Sequence, residues 1–269
     1  ARVVPRVPPA RALRALGARA GGRVARSEPR VRVGIAVEGT RGDVAPMIEL
    51  GQRLQRGGHA VAFVCAPGFR DVVERRGMRF LAPSADVHRF LADESRAMTR
   101  GGLRAARAFE RFGRESVSLQ LASSIALARE SDVVVAAGVQ TSAATAAELA
   151  GVPYRYVFYC PVLLPSPEHA PFLVPWTGLP PWLNRVLWKL LLPPFRLSLE
   201  RGLNRARREL GLPACDDALA HLLTDAPILA ADPTLAPLGA VSMPSIRRVP
   251  QIAALHPLEA RSPLPEKLE

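Results

Sequence analysis

The sequence predicts an α/β fold, a Rossmann-like parallel sheet flanked by helices. Three observations carry this expectation. Short, almost wholly apolar runs alternate with helical patterns along most of the chain. The first two apolar runs begin at Val31 and Ala60, about 29 residues apart, the length of one βαβ unit. A glycine-rich turn, Gly39–Gly42, joins the first run to a helix that carries a carboxylate at its start.

Each element follows from local pattern. Val31–Val37 reads as a strand buried on both faces, as parallel strands are. Val44–Arg56 reads as a helix closed by Gly57-Gly58, and Ala60–Cys65 as the second strand. Gly68–Arg76 is a helix ended by Gly77, and Arg79–Leu81 a short third strand. Residues 86–130 read as helical with a break at Gly101-Gly102. Asp132–Ala137 is the fourth strand, Thr141–Ala150 a helix stopped by Gly151, and Tyr154–Tyr159 the fifth strand. A Pro-rich loop, Pro161–Pro181, is long enough to suggest a functional role. Helices are expected over 182–210 and 216–224, with a last strand at Pro227–Ala231. The domain division is residues 1–30 as a disordered Arg-rich leader, 31–254 as the Rossmann-like domain, and 255–269 as an interdomain linker cut short. The chain also begins with Ala, which fits an incomplete or processed record.

Charge narrows the function. The net charge is +12, but residues 1–30 hold eight Arg against one acid, leaving the remainder only +5. No basic stripe interleaved with aromatics occurs, so no nucleic-acid function is expected. Cys65, Cys160 and Cys215 are far apart and form no CxxC pair, which argues against a disulfide framework or a zinc site. Cys65 and Cys160 end apolar runs, where buried thiols are common. No metal site and no resident cofactor are expected. No stretch approaches the ~20 apolar residues of a membrane span. A cytoplasmic protein is expected, with peripheral membrane contact as a further possibility.

The sharpest motif is Gly39-Thr40-Arg41-Gly42-Asp43-Val44-Ala45-Pro46. Asp43 has two compatible readings. Asp is a favoured helix N-cap and Pro is common in a first turn. A carboxylate at the carboxyl edge of a parallel sheet also lies where open α/β folds bind ligands. The glycines at 34, 39 and 42 make no GxGxxG fingerprint, and no GK[ST] sequence occurs, so neither a dinucleotide site nor a P-loop is indicated.

GTRGDVAPMIELGQRLQRGGHAVAFVCAPGFRDVVERRGMRF resembles the amino-terminal half of the glycosyltransferase family 28 group, which includes sterol glucosyltransferases and transferases that decorate glycopeptide antibiotics. DVVVAAGVQTSAATAAELAGVPY and LNRARRELGLP sit at the intervals such a likeness requires, so the resemblance covers roughly 31–255. It implies a GT-B architecture, in which two Rossmann-like domains face across a cleft. The amino-terminal domain binds the acceptor, and the carboxyl-terminal domain binds the nucleotide sugar. It places the general base at Asp43, where plant-type relatives carry a His. It also implies inversion at the anomeric carbon and a lipophilic small-molecule, sterol-like or lipid-like hydroxyl as acceptor.

Around Asp43, the expected acceptor-side residues are Gly39, Thr40, Arg41, Gly42, Gln140, Thr141 and His169. Thr40 and Arg41 read equally as solvent-facing turn residues, Thr141 as a helix cap, and His169 as an exposed loop residue near Phe172 and Trp176. His59 reads as structural. The family's donor-side HxGxGT-like loop and late acidic-Gln pair are absent from this sequence. The expectation is therefore an acceptor-binding half that is inactive alone; the alternative is a non-catalytic binding or partner module derived from such an enzyme.

Overall fold

A computed structural model describes residues 29–83, 117, 119–171, 174 and 176–255. The described residues from Val31 onward belong to one compact unit. Nearly all of the expected leader, Phe172, most of the segment 86–130 and the expected linker beyond Leu255 lie outside the described residues.

Seven strands form one sheet: β1 (Arg32–Glu38), β2 (Ala60–Cys65), β3 (Arg79–Pro83), β4 (Val133–Gly138), β5 (Tyr154–Phe158), β6 (Ile228–Ala230) and β7 (Gln251–Ile252). Their order is β3-β2-β1-β4-β5-β6-β7, and every pair is parallel. Val33 of β1 lies opposite Val61 on one side and Val133 on the other. Chain progression therefore reverses between β1 and β4, the switch point at which doubly wound sheets hold ligands beyond the carboxyl ends of their strands. β7 was not expected from sequence, because two residues, Gln251 and Ile252, leave no periodicity to read.

Among the described residues the helices are α1 (Arg41–Arg56), α2 (Arg70–Arg75), α3 (119–129), α4 (Ala143–Ala150), α5 (Pro181–Glu209) and α6 (Ala218–Leu223). Two cores sandwich the sheet. Val33, Ile35 and Val37 of β1 pack with Val44, Met47 and Ile48 of α1. Ala36, Val134, Ala136, Tyr156 and Phe158 pack on the other face with Leu127 of α3, Ala143 and Ala147 of α4, and Leu219 and Leu222 of α6. Alternate residues of the strands thus feed opposite layers, which explains why they lack a polar face.

Four sequence readings are corrected. Helix α1 begins at Arg41 instead of Val44, because Thr40 is extended (φ −83°, ψ −178°) and serves as N-cap. Helix α4 is capped from Ser142, so Thr141 lies outside it. Cys65 is buried as expected, whereas Cys160 is exposed. The region 182–210 is a single helix, although Pro193 and Pro194 lie inside it and remove two ladder donors.

Anchors near both ends hold α5 through this interruption. Asn184 donates from Nδ2 to Pro167 O at 2.9 Å, and Trp188 donates from Nε1 to His169 O at 3.0 Å. Toward the other end, Asn204 pairs with both backbone groups of Cys215, at 2.9 and 2.7 Å. Arg207 is buried and donates to Pro213 O, to Thr145 Oγ1 and, with both terminal nitrogens, to Glu148 at 2.6 and 3.2 Å. Thr145 Oγ1 also lies 3.0 Å from His221 Nε2. The Arg207 guanidinium, which can only donate, lies 3.5 Å from the same ring nitrogen, and this favours neutral His221 with Nε2 as the acceptor. Burial, then the Arg207 charge, push the His221 pKa down; only Glu148 opposes them. The Arg207 hydrogen bond holds the Glu148 carboxyl below its usual range.

Both shifts act in the same direction on stability. Below about pH 6.5 the unfolded chain protonates His221 before the folded chain does, so stability falls with pH. Glu148 adds a second loss at lower pH, as its depressed value is passed. The melting temperature should fall from pH 7 to pH 5 by roughly 3 °C for each kcal/mol lost. His221→Gln, which keeps a hydrogen-bonding group toward Thr145, should flatten that slope in a calorimetric pH series.

Candidate active site

The carboxyl ends of β1 and β4 bring the chain segments 39–43 and 138–141 to one edge. Two glycines permit this. Gly39 has φ +152°, and a side chain there would collide with the Asp43 carboxylate. Gly138 has φ +70°, and a Cβ there would run into the Glu38 carbonyl oxygen while lying 3.4 Å from Asp43 Cβ. Val139 N donates to that same Glu38 carbonyl at 2.8 Å, so the two strand ends are tied directly.

Asp43 occupies the third position of α1, not the N-cap position. Its Oδ2 accepts from Thr40 N at 2.8 Å and from Thr40 Oγ1 at 3.2 Å, so the carboxylate closes the helix start from inside the first turn. Oδ1 has no hydrogen-bond partner among the described residues. The side chain is partly exposed, and the first turn of a helix is a favourable place for a carboxylate. Tyr159, just beyond β5, donates its hydroxyl to the Asp43 carbonyl at 2.8 Å. Tyr156 donates to the Gly138 carbonyl. Burial and the charge of Asp43 push both phenols well above their ordinary range, so both remain donors.

Beside this edge lies a cavity of about 280 Å³. Gly42, Pro46 and Tyr159 line one side; Ala231, Asp232, Leu235 and Leu255 are among the residues on the other. The Asp43 carboxylate is not part of the lining, but Gly42, its chain neighbour, is. Gln251 of β7 shapes the far wall, donating to Ala231 O and Ala236 O at 3.2 and 2.9 Å and accepting from Leu238 N.

The other expected residues divide clearly. Thr40 is half-buried and Arg41 exposed, both at the helix start. Gln140 is fully buried; its Oε1 accepts from Ser142 N at 3.1 Å, while its Nε2 has no partner among the described residues. Thr141 gives its N–H and hydroxyl to Gln120 Oε1, at 2.8 and 3.0 Å. His169 sets its ring edge-on to Trp188, with centroids 6.1 Å apart. His59 accepts from Val31 N at 3.4 Å, a link within the sheet.

Sequence reasoning missed Tyr159, Gln120 and Gln251. Tyr159 lies 116 residues from the carbonyl it holds, and no local pattern reports such a bond.

A parallel, doubly wound sheet with a carboxylate at its switch point defines an open α/β domain of the Rossmann-like kind. Residues 33–164 match the glycosyltransferase family 28 N-terminal domain, and the chain belongs to that family. Glycosyltransferase GtfE from Amycolatopsis orientalis is 31% identical over 224 residues, covering 81% of this chain and 53% of that protein. The vancomycin aglycone glucosyltransferase from the same organism is 31% identical over 81% of this chain and 53% of its own length. The chain spans about half the length of the curated relatives it matches. The crystal structure of the glycotransferase of kitacinnamycin superposes with a TM-score of 0.53 at 16% identity, over 78% of this chain and 48% of that one. That likeness is one of fold, the Rossmann-like half of a GT-B glycosyltransferase.

The crowding at the strand ends is testable. Gly138→Ala should cost more than about 2 kcal/mol, because the left-handed backbone is strained and the new methyl meets a carbonyl. Gly151→Ala shares the left-handed backbone (φ +67°) but has open space around it, and should cost only about 1 kcal/mol. Urea unfolding of the two variants measures the difference.

Proposed function

We propose that this chain is the acceptor-binding half of an inverting, nucleotide-sugar-dependent glycosyltransferase, with Asp43 as its general base. The observation that carries the reading is Asp43 Oδ1 at the sheet's switch point, without a hydrogen-bond partner among the described residues, in a carboxylate whose other oxygen is fixed on Thr40. An acceptor hydroxyl hydrogen-bonded to Oδ1 loses its proton to that oxygen as its own oxygen attacks the anomeric carbon. The bond from that carbon to the nucleoside diphosphate breaks on the opposite face, so the configuration inverts in a single displacement. A base so placed contributes about 10²–10⁴-fold in rate.

The acceptor class we assign is a lipophilic small molecule, or a sterol-like or lipid-like alcohol, receiving a hexose. Pro46, Ala230, Ala231, Leu235, Ala254 and Leu255 make the adjoining cavity mainly apolar. At about 280 Å³ it seats a ring or two of such a molecule, near the lower end of ligand-pocket sizes. The Arg41 side chain and the backbone N–H groups of Arg41 and Gly42 open α1, where a diphosphate finds donors and positive charge. The nucleotide sugar itself is assigned to a carboxyl-terminal half facing this edge. Gln140 and Thr141 support the edge from behind it. The names of the curated relatives support the transferase class.

In the protein completed by its donor half, Asp43→Asn should lower kcat at least about 100-fold. Acceptor affinity, measured by titration calorimetry, should change less than about threefold, since the amide retains the Thr40 contacts. Turnover equal to that of the parent protein would remove Asp43 from the chemistry.

A further inference from the structure

Helix α5 turns one face into the protein and another into solvent. Asn184 and Trp188 are buried, and Leu192 packs against the core. The outward face carries Trp182 (63% exposed), Val186, Leu190 (64% exposed) and Leu197, with Pro193 and Pro194 also exposed between them. At 100° per residue these side chains fall within an arc of about 120°. The spacing of 182, 186 and 190, one turn apart each time, makes them a continuous apolar strip. Trp176, in the loop before the helix, is exposed as well.

Charge on this strip is one-sided. Arg185 and Lys189 lie along one margin, both exposed, and neither enters an ion pair among the described residues. From His169 to Ser198 and Leu199 the sequence contains no carboxylate at all; Glu168 and Glu200 bracket the gap. Arg196, the third cation in the interval, is paired with Asp217 at 2.8 Å. A solvated helix face ordinarily mixes both signs. An apolar strip with aromatic residues at one end, bordered by unpaired cations and free of acids, has instead the composition of a helix that lies in a bilayer interface. No helix among the described residues is long and apolar enough to cross a membrane, so contact of this kind would be peripheral.

We propose that the outward face of the first half of α5 docks the protein on an anionic lipid bilayer. Trp182, Val186 and Leu190 enter the boundary between headgroups and acyl chains, and Arg185 and Lys189 lie against lipid phosphates. The proposal extends the reading of a lipophilic acceptor, since it brings the protein to the phase in which such a molecule is concentrated. The docking itself requires no transfer chemistry.

The test is co-sedimentation of the full chain with phosphatidylglycerol vesicles and with phosphatidylcholine vesicles, at low and high salt. Binding to phosphatidylglycerol should be at least about tenfold tighter and should weaken with salt. The triple variant W182S/V186S/L190S should bind at least about tenfold more weakly, with an unchanged melting temperature and circular dichroism. Arg185→Gln and Lys189→Gln should each lose about fivefold on phosphatidylglycerol alone. The triple variant retains the eight arginines of residues 1–30. If it binds phosphatidylglycerol as the parent does, the leader makes the contact and the proposal fails. It fails equally if the parent binds neither vesicle. A parent that sediments as a dimer, with the triple variant monomeric and no vesicle binding by either, would reassign the strip to a second copy of the chain. A failure here leaves the Asp43 reading intact, because that reading is judged by turnover.

Discussion

The contact between the ends of β1 and β4 is the constraint on which the functional edge depends. Glu38 is fully buried at the last position of β1, and its carbonyl receives Val139 N while the backbone of Gly138 passes close against it. Only glycine tolerates that approach with a positive φ. Beyond this contact the chain leaves the sheet at Gly39, and helix α1 starts at Arg41 behind the extended Thr40. Asp43 is then delivered to the edge with one oxygen fixed and one open. Tyr156 and Tyr159, both from the β5 segment, tie the Gly138 and Asp43 carbonyls to the next strand. The geometry of one carboxylate is therefore set by three neighbouring strand ends, not by its own turn alone.

A second constraint acts on the far layer. A 29-residue helix with two prolines inside it lacks a complete hydrogen-bond ladder, and its persistence rests on side chains bonded to other elements. Asn184 and Trp188 hold the loop 167–179; Asn204 and Arg207 hold the turn that leads to α6. The motif LNRARRELGLP, quoted for its family likeness, is thereby explained as architecture. Its Asn and its second Arg each satisfy backbone carbonyls, and the Arg also neutralises Glu148. With its inner face committed in this way, α5 is free to present an apolar and basic outer face without weakening the core.

Much of this organisation could be read from residue order. The strands from Val31 to Tyr159 are apolar, β-branched or aromatic, and flanked by glycines that stop helices, so their existence and sequence were plain. Boundaries were less so. The start of α1 was placed three residues late because Asp43 and Pro46 together imitate a cap followed by a first turn, whereas the extended backbone of Thr40 sets the cap. The same ambiguity misassigned Thr141, whose donors are absorbed by Gln120 from a segment with no clear periodicity. His169 reads from its aromatic neighbours as a pocket residue, and its ring packs against Trp188, six residues beyond the exposed Trp182 on the same helix.

By itself, the sequence determined the alternation of strand and helix, the glycine turn with its acid, and the membership of a family, since all are encoded by near neighbours. Tertiary structure decided which oxygen of Asp43 is open, which glycine must remain glycine, and which face of α5 meets solvent. Each of those depends on groups tens to a hundred residues apart coming within a few ångströms, and hydrogen bonds and steric contacts across such separations leave no mark on local composition.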